Sequence, residues 1–177
     1  MSSFAAAKQR YAVRQDEARR LASRNLQGPL GVTFHLTAWG ERARHAYETQ
    51  WLSAARHPDA GWDWPEIHRR NRNEPDALSL AIWVGDDRLC GLGFAVPSSR
   101  AVTLRFLEGD PRPDCPLIGR RALIALEASA LYAQGIGRSQ IRVEPANETL
   151  AALYRDRYGF ALVSLEGAPA YYVRNIL

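Results

Sequence analysis

"IRVEPANETLAALYRDRYGF", residues 141–160, reads as the end of a strand, a break, a helix and a stop. The run 140–145 is strand-like, and Asn147 is of the type that caps a helix N-terminus. From there Leu150, Ala151, Leu153, Tyr154 and Tyr158 gather on one broad helical face, which Gly159 closes. Asn147 and Tyr154 are seven positions apart, almost two turns at about 3.6 residues each, so they point nearly the same way. Such a pair suits core packing and a shared site equally well. The surroundings have to decide.

Working outward, "FALVSL" (160–165) and "AYYVRNI" (170–176) are two further strands around the turn "EGAP". Upstream, "LIGRRALIALEASALYAQ" (117–134) is strongly helical, with Leu117, Ile124, Ala128 and Leu131 on one face and Gly135 as its stop. Before it come three strand-like runs, 77–84, 88–96 and 101–108, separated by "GDD" and "PSSR", short enough for hairpin turns. The first part predicts a helix over 4–25 ended by "NLQGPLG", a strand over 32–39, a helix over 41–56 and another from Pro65 to about Asn73. Strand, long helix and strand over 101–145 can form a parallel crossover within an otherwise antiparallel sheet. The class is α/β of the α+β kind, with a mixed, mostly antiparallel sheet flanked by helices. Neither a repeat nor a low-complexity linker divides the chain, and residues 1–30 form an N-terminal helical extension before a domain over 31–177.

Composition narrows the function classes. The 177 residues are 46% hydrophobic and 24% charged, which is globular, and the formal charge of +4 suits an anionic ligand such as a nucleotide. The basic residues form no concentrated block, so nucleic acid is not the favoured partner. Two cysteines, Cys90 and Cys115, make neither a disulfide framework nor a zinc ribbon, and the four histidines lack metal-ligand spacing. No metal is expected. No run approaches ~18 apolar residues and the N-terminus lacks a signal core, so the expectation is a cytoplasmic protein without a membrane partner.

The order of elements, "GDPRPDCPLIGRRALIALEASALYAQG" and the quoted stretch together resemble the GNAT-type N-acetyltransferases over about residues 32–176. The family's late motif runs roughly Asn-x-x-Ala-x-x-x-Tyr, then Gly-Phe at the next strand. Asn147, Tyr154, Gly159 and Phe160 match it, with Leu150 in place of the small residue. The family's phosphate motif, Gln/Arg-x-x-Gly-x-Gly/Ala, falls on Asp114 to Gly119, where only Gly119 is kept. Leu117 adds a side chain where the backbone should approach a pyrophosphate, and Pro116 removes an N–H donor. Arg112, Arg120 and Arg121 offset Asp114.

The resemblance implies an acetyl group moved from acetyl-coenzyme A, bound as a co-substrate, to a primary amine by direct attack. Leu107, Gly109, Leu117, Ile118, Gly119, Arg120, Arg121 and Asn147 would then hold the coenzyme. Tyr154 would protonate the departing thiolate, although on its own helix it reads as a packed aromatic. Glu108 and Glu144 compete as general base, and Glu108 alone reads as a solvated strand-end carboxylate. Trp62, Asp63, Trp64 and Glu66, in the joint where the family shapes its acceptor pocket, would form an aromatic and anionic wall, or else a loop staple. Two alternatives accompany this reading. One is a repurposed GNAT-fold module that binds a protein or nucleic acid; the other is an acyl or aminoacyl transferase with a different donor. The N-terminal helix offers a homodimer contact.

Overall fold

The computed structural model describes residues 2–176. Helix α1 (Ser3–Leu30) leads to β1 (His35–Thr37), α2 (Glu41–Ala46) and α3 (Trp64–Arg70). A meander follows: β2 (Leu78–Val84), β3 (Arg88–Pro97) and β4 (Ala101–Gly109). Helix α4 (Arg121–Gly135), β5 (Gln140–Val143), α5 (Glu148–Ala152), β6 (Ala161–Val163) and β7 (Tyr171–Asn175) complete the chain. The seven strands form one sheet in the order β1-β2-β3-β4-β5-β7-β6, in which β4 and β5 are parallel and every other pair antiparallel.

The meander is apolar on both faces because both are covered. On β2, Leu78 and Leu80 join a core with α1 and α4, while Ala81 and Trp83 point to a second core under α2 and α3. Ala18 and Ala22 of α1 are buried in the first core, so the N-terminal extension packs onto the domain. Gln15 reinforces this by donating to the carbonyls of Pro75 and Ala77, both at 3.0 Å.

The strands 32–39, 140–145 and 160–165 are shorter than expected, and the helices depart in four places. α1 runs on through Pro29 and is capped at Gly31. The expected helix over 41–56 is α2 followed by a π-helical segment, Tyr47–Trp51. A second π segment, Leu153–Arg157, follows α5. A π turn accommodates one more residue than an α turn, so both segments redirect the side chains that follow. The long helix starts at Arg121 rather than 117, because Cys115–Arg120 form tight turns that place Gly119 at φ 77°, a left-handed conformation suited to glycine.

Candidate active-site cleft

β4 and β5 pair only over Ala101–Leu104 and Gln140–Val143, while β4 stays paired with β3 as far as Gly109. A β-bulge at Arg105 interrupts the β3–β4 register where the divergence begins. The two parallel strands therefore part, and a cleft of about 640 Å³ opens between them. The Asp110 N–H donates to Cys90 O at 3.0 Å, toward β3. By strand alternation the N–H groups of Leu107 and Gly109 point the other way, into the gap. Leu107, Glu108 and Gly109 form one wall, and Asn147, Leu150 and Leu153 the other.

At one end stand Ile118, Gly119, Arg121 and Ala122. Arg120, the residue before α4, supplies no side-chain cap, so the first N–H groups of the helix, which have no intrahelical partners, are left uncapped beside the cleft. Arg121 lies across Gly109, where a Cβ would collide with the guanidinium, and donates to Asp110 O at 3.0 Å. Asp110 is buried, which raises its pKa, but Arg112 and Arg88 outweigh the burial and hold the carboxyl below its usual range. Two expected coenzyme ligands lie outside the lining. Leu117 is 0% exposed and packs among Phe34, Ile82 and Ile124. Arg120 turns back to α1 and donates to Leu30 O at 2.8 Å.

Glu108 lines the cleft but is not free. Arg56 donates to both of its oxygens at 2.7 Å, and the Trp64 indole N–H donates to Oε1 at 2.7 Å. Arg56 also reaches Tyr47 Oη and Trp62 O, and its pKa is raised, first by its hydrogen bond to Glu108. Both oxygens of this carboxylate are thus engaged by charge-assisted or indole hydrogen bonds. Glu144 lies outside the cleft lining, half exposed and 4.0 Å from Arg105. Tyr154 is 4% exposed, packs against Tyr158 and Phe160, and is pushed up to about 12 by burial. Its neighbour Leu153 reaches the cleft; Tyr154 does not line it.

On the acceptor side the expected residues separate. Trp62 lines the cleft, edge-on to Phe106 at 5.6 Å. Trp64 is fully buried as the Glu108 donor. Asp63 caps α3 by accepting from the Glu66 N–H, and Glu66 is clamped by Arg69 and Arg70. Neither of these carboxylates lines the cleft. Asp59 does, two residues beyond His57, which lines it too. Its Oδ2 accepts from Asn147 Nδ2 at 3.0 Å, which links the two sides of the opening, while Asn147 Oδ1 caps α5. Among the cleft carboxylates, Asp59 alone forms no ion pair with an arginine. "DWPE" carries the capping spacing that marks Asp63 as structural, so this signal was present in the sequence.

Compared with solved structures, the chain aligns with an acetyltransferase of the GNAT family from Staphylococcus aureus Mu50, at 11% identity and a TM-score of 0.59, over 81% of this chain and 99% of that one. The fold is the GNAT fold. A phosphinothricin acetyltransferase of the GNAT superfamily from Sinorhizobium meliloti, in complex with acetyl-coenzyme A, aligns at 15% identity and a TM-score of 0.56, over 82% and 89% of the two chains. The ribosomal-protein-S18-alanine N-acetyltransferase from Escherichia coli gives 15% identity and 0.55, over 81% and 92%. No protein-family model matches the sequence, and no curated protein matches it. In this GNAT fold the parting of β4 and β5 opens a cleft beside the N-terminus of α4. No described helix is long and apolar enough to cross a membrane.

Proposed function

We propose that the chain is an acetyl-coenzyme A-dependent N-acetyltransferase acting on a primary amine. The observation that carries this reading is the shared cleft, where the N–H groups of Leu107 and Gly109 and the uncapped start of α4 face one space. The pyrophosphate would sit on the N–H groups of Gly119, Arg121 and Ala122, with the Arg121 guanidinium as counter-charge. The pantetheine arm would run between β4 and the Leu150–Leu153 wall, its amides paired with Leu107 and Gly109. A β4 N–H would polarise the thioester carbonyl as the amine attacks; the C–S bond then breaks and the coenzyme A thiolate leaves, taking its proton from water. The amine would enter past Trp62, whose ring suits a cation, with Asp59 as the carboxylate that attracts it.

Glu108 then positions Arg56 and Trp64 instead of taking the proton, which leaves through water toward Asp59. Tyr154 supports the wall from behind. The repurposed binding module is the second reading, supported by Leu117 and Arg120, which make no contribution to the lining. Incubating the protein with acetyl-coenzyme A and a mixed panel of amines separates the two. Release of free coenzyme A thiol together with an acetylated amine supports the enzyme. A folded protein that yields neither supports the module.

A further inference from the structure

The two cysteines, 25 positions apart in sequence, meet behind the phosphate end of the cleft. Cys90 sits at a bulge of β3, where Ile82 pairs with Gly91 and Trp83 with Leu89, leaving Cys90 without a partner on β2. Cys115 belongs to the turn that carries Ile118 and Gly119 to the cleft. Neither is in a disulfide, both are buried at 0% and 5% exposure, and their sulfurs lie within 4.8 Å of each other. The Asp110 carboxylate lies with them, the three candidate ligand atoms being within 4.8 Å of one another.

This cluster has the donors for a metal but the wrong surroundings. Asp110 already accepts four hydrogen bonds from Arg88 and Arg112, two at each oxygen. Both arginines are ion-paired to it, and a cation would have to break those pairs. The two thiols are held differently. The neighbouring Cys90 draws the Cys115 thiol down, against burial and the Asp110 carboxylate, helped by the Leu117 N–H and Arg121. The neighbouring Cys115, with burial, pushes Cys90 up.

We propose that Cys90 and Cys115 are a reversible dithiol–disulfide pair that couples oxidation by a peroxide to the position of the phosphate loop. The Cys115 thiolate attacks one peroxide oxygen, the O–O bond breaks, and hydroxide leaves and is protonated to water. The Cys115 sulfenic acid is then attacked by the Cys90 sulfur. An S–S bond forms, the S–O bond breaks, and the Cys90 proton leaves with the hydroxyl as a second water. Sulfur loses two electrons and peroxide gains them. A disulfide brings its sulfurs to about 2.05 Å, inside the non-bonded contact distance of two free thiols. The turn must therefore shift toward β3, carrying Ile118 and Gly119 with it. The effect on coenzyme binding rests on the function proposed above; the disulfide itself does not.

The test is to titrate the reduced full-length protein with hydrogen peroxide, follow intact mass and mapped peptides, and measure coenzyme A binding before and after. A mass loss of two hydrogens, a Cys90–Cys115 linked peptide and full reversal by dithiothreitol are expected. Coenzyme A should bind about tenfold more weakly to the oxidised form, as expected when one hydrogen bond to a phosphate is lost. Cys90→Ser should instead accumulate a Cys115 sulfenic acid that dimedone traps. Sulfinic acid on Cys115 with Cys90 still reduced would overturn the pair. So would stoichiometric zinc on the purified protein that protects both thiols. A disulfide with unchanged coenzyme affinity would remove the coupling. A disulfide in a protein that binds no coenzyme A in either state would instead count against the proposed function.

Discussion

Glu108 shows how a residue in the right place can hold the wrong occupation. It stands in the β4 wall of the cleft, where a general base would be useful, yet Arg56 donates to both of its oxygens and the Trp64 indole to one of them. With the Glu108 side chain only 2% exposed, removing its partner strands a buried charge. Arg56→Ala is therefore expected to cost about 3–5 kcal/mol of stability, measured by chemical denaturation. A loss below 1 kcal/mol would mean the pair is replaced by water at little cost. Tyr154 is the converse case, a residue matched to a catalytic motif but packed against Tyr158 and Phe160. Tyr154→Phe should keep turnover within about threefold, where loss of a true general acid costs 10²-fold or more. Steady-state rates of folded variants decide between them. Neither role was legible in the sequence. The helical face of Tyr154 serves core and cleft alike, and the partner of Glu108 lies 52 positions away at Arg56.

Among the elements, the turn before α4 departs most from the family pattern. Leu117 was expected to obstruct a phosphate; instead it fills the core beneath the turn. Leu117→Gly should lower stability by about 3–5 kcal/mol, as cavity-forming core truncations do, with no gain in coenzyme affinity. Tighter binding by calorimetry would return Leu117 to the cleft. Adjacent Arg120 and Arg121 point to different neighbours, since successive residues here turn sharply around the start of α4. A sequence gives their order but not that rotation, and the two π segments were hidden for the same reason. Helix α3 offers a separate test. His68 stacks on Trp39, the rings 4.6 Å apart and 5° from parallel, and burial pushes its pKa down to about 4. The unfolded chain binds that proton near pH 6.5, so stability from this residue is fully present above pH 6.5 and falls as pH drops toward 4. The loss amounts to about 3 kcal/mol across that window. His68→Phe should flatten the acid limb of a stability–pH curve; an unchanged slope would place the titration elsewhere.

At the scale of the molecule, the sheet is a central layer with a core on each face, and its single parallel pair creates the cleft. This much was legible, because strand runs, the long helix and the crossover leave strong patterns in sequence. Which side chains reach the opening was legible only in part: the capping spacing sets Asp63 aside, but nothing in the chain places Asp59 against Asn147, 88 positions away. The proposed reaction requires the cleft to take a coenzyme A thioester at the start of α4. Isothermal titration of the reduced protein with acetyl-coenzyme A tests that most directly. One-to-one binding in the micromolar range, markedly weakened by Arg121→Ala, is the predicted result. No detectable heat at millimolar ligand with a folded protein would contradict it.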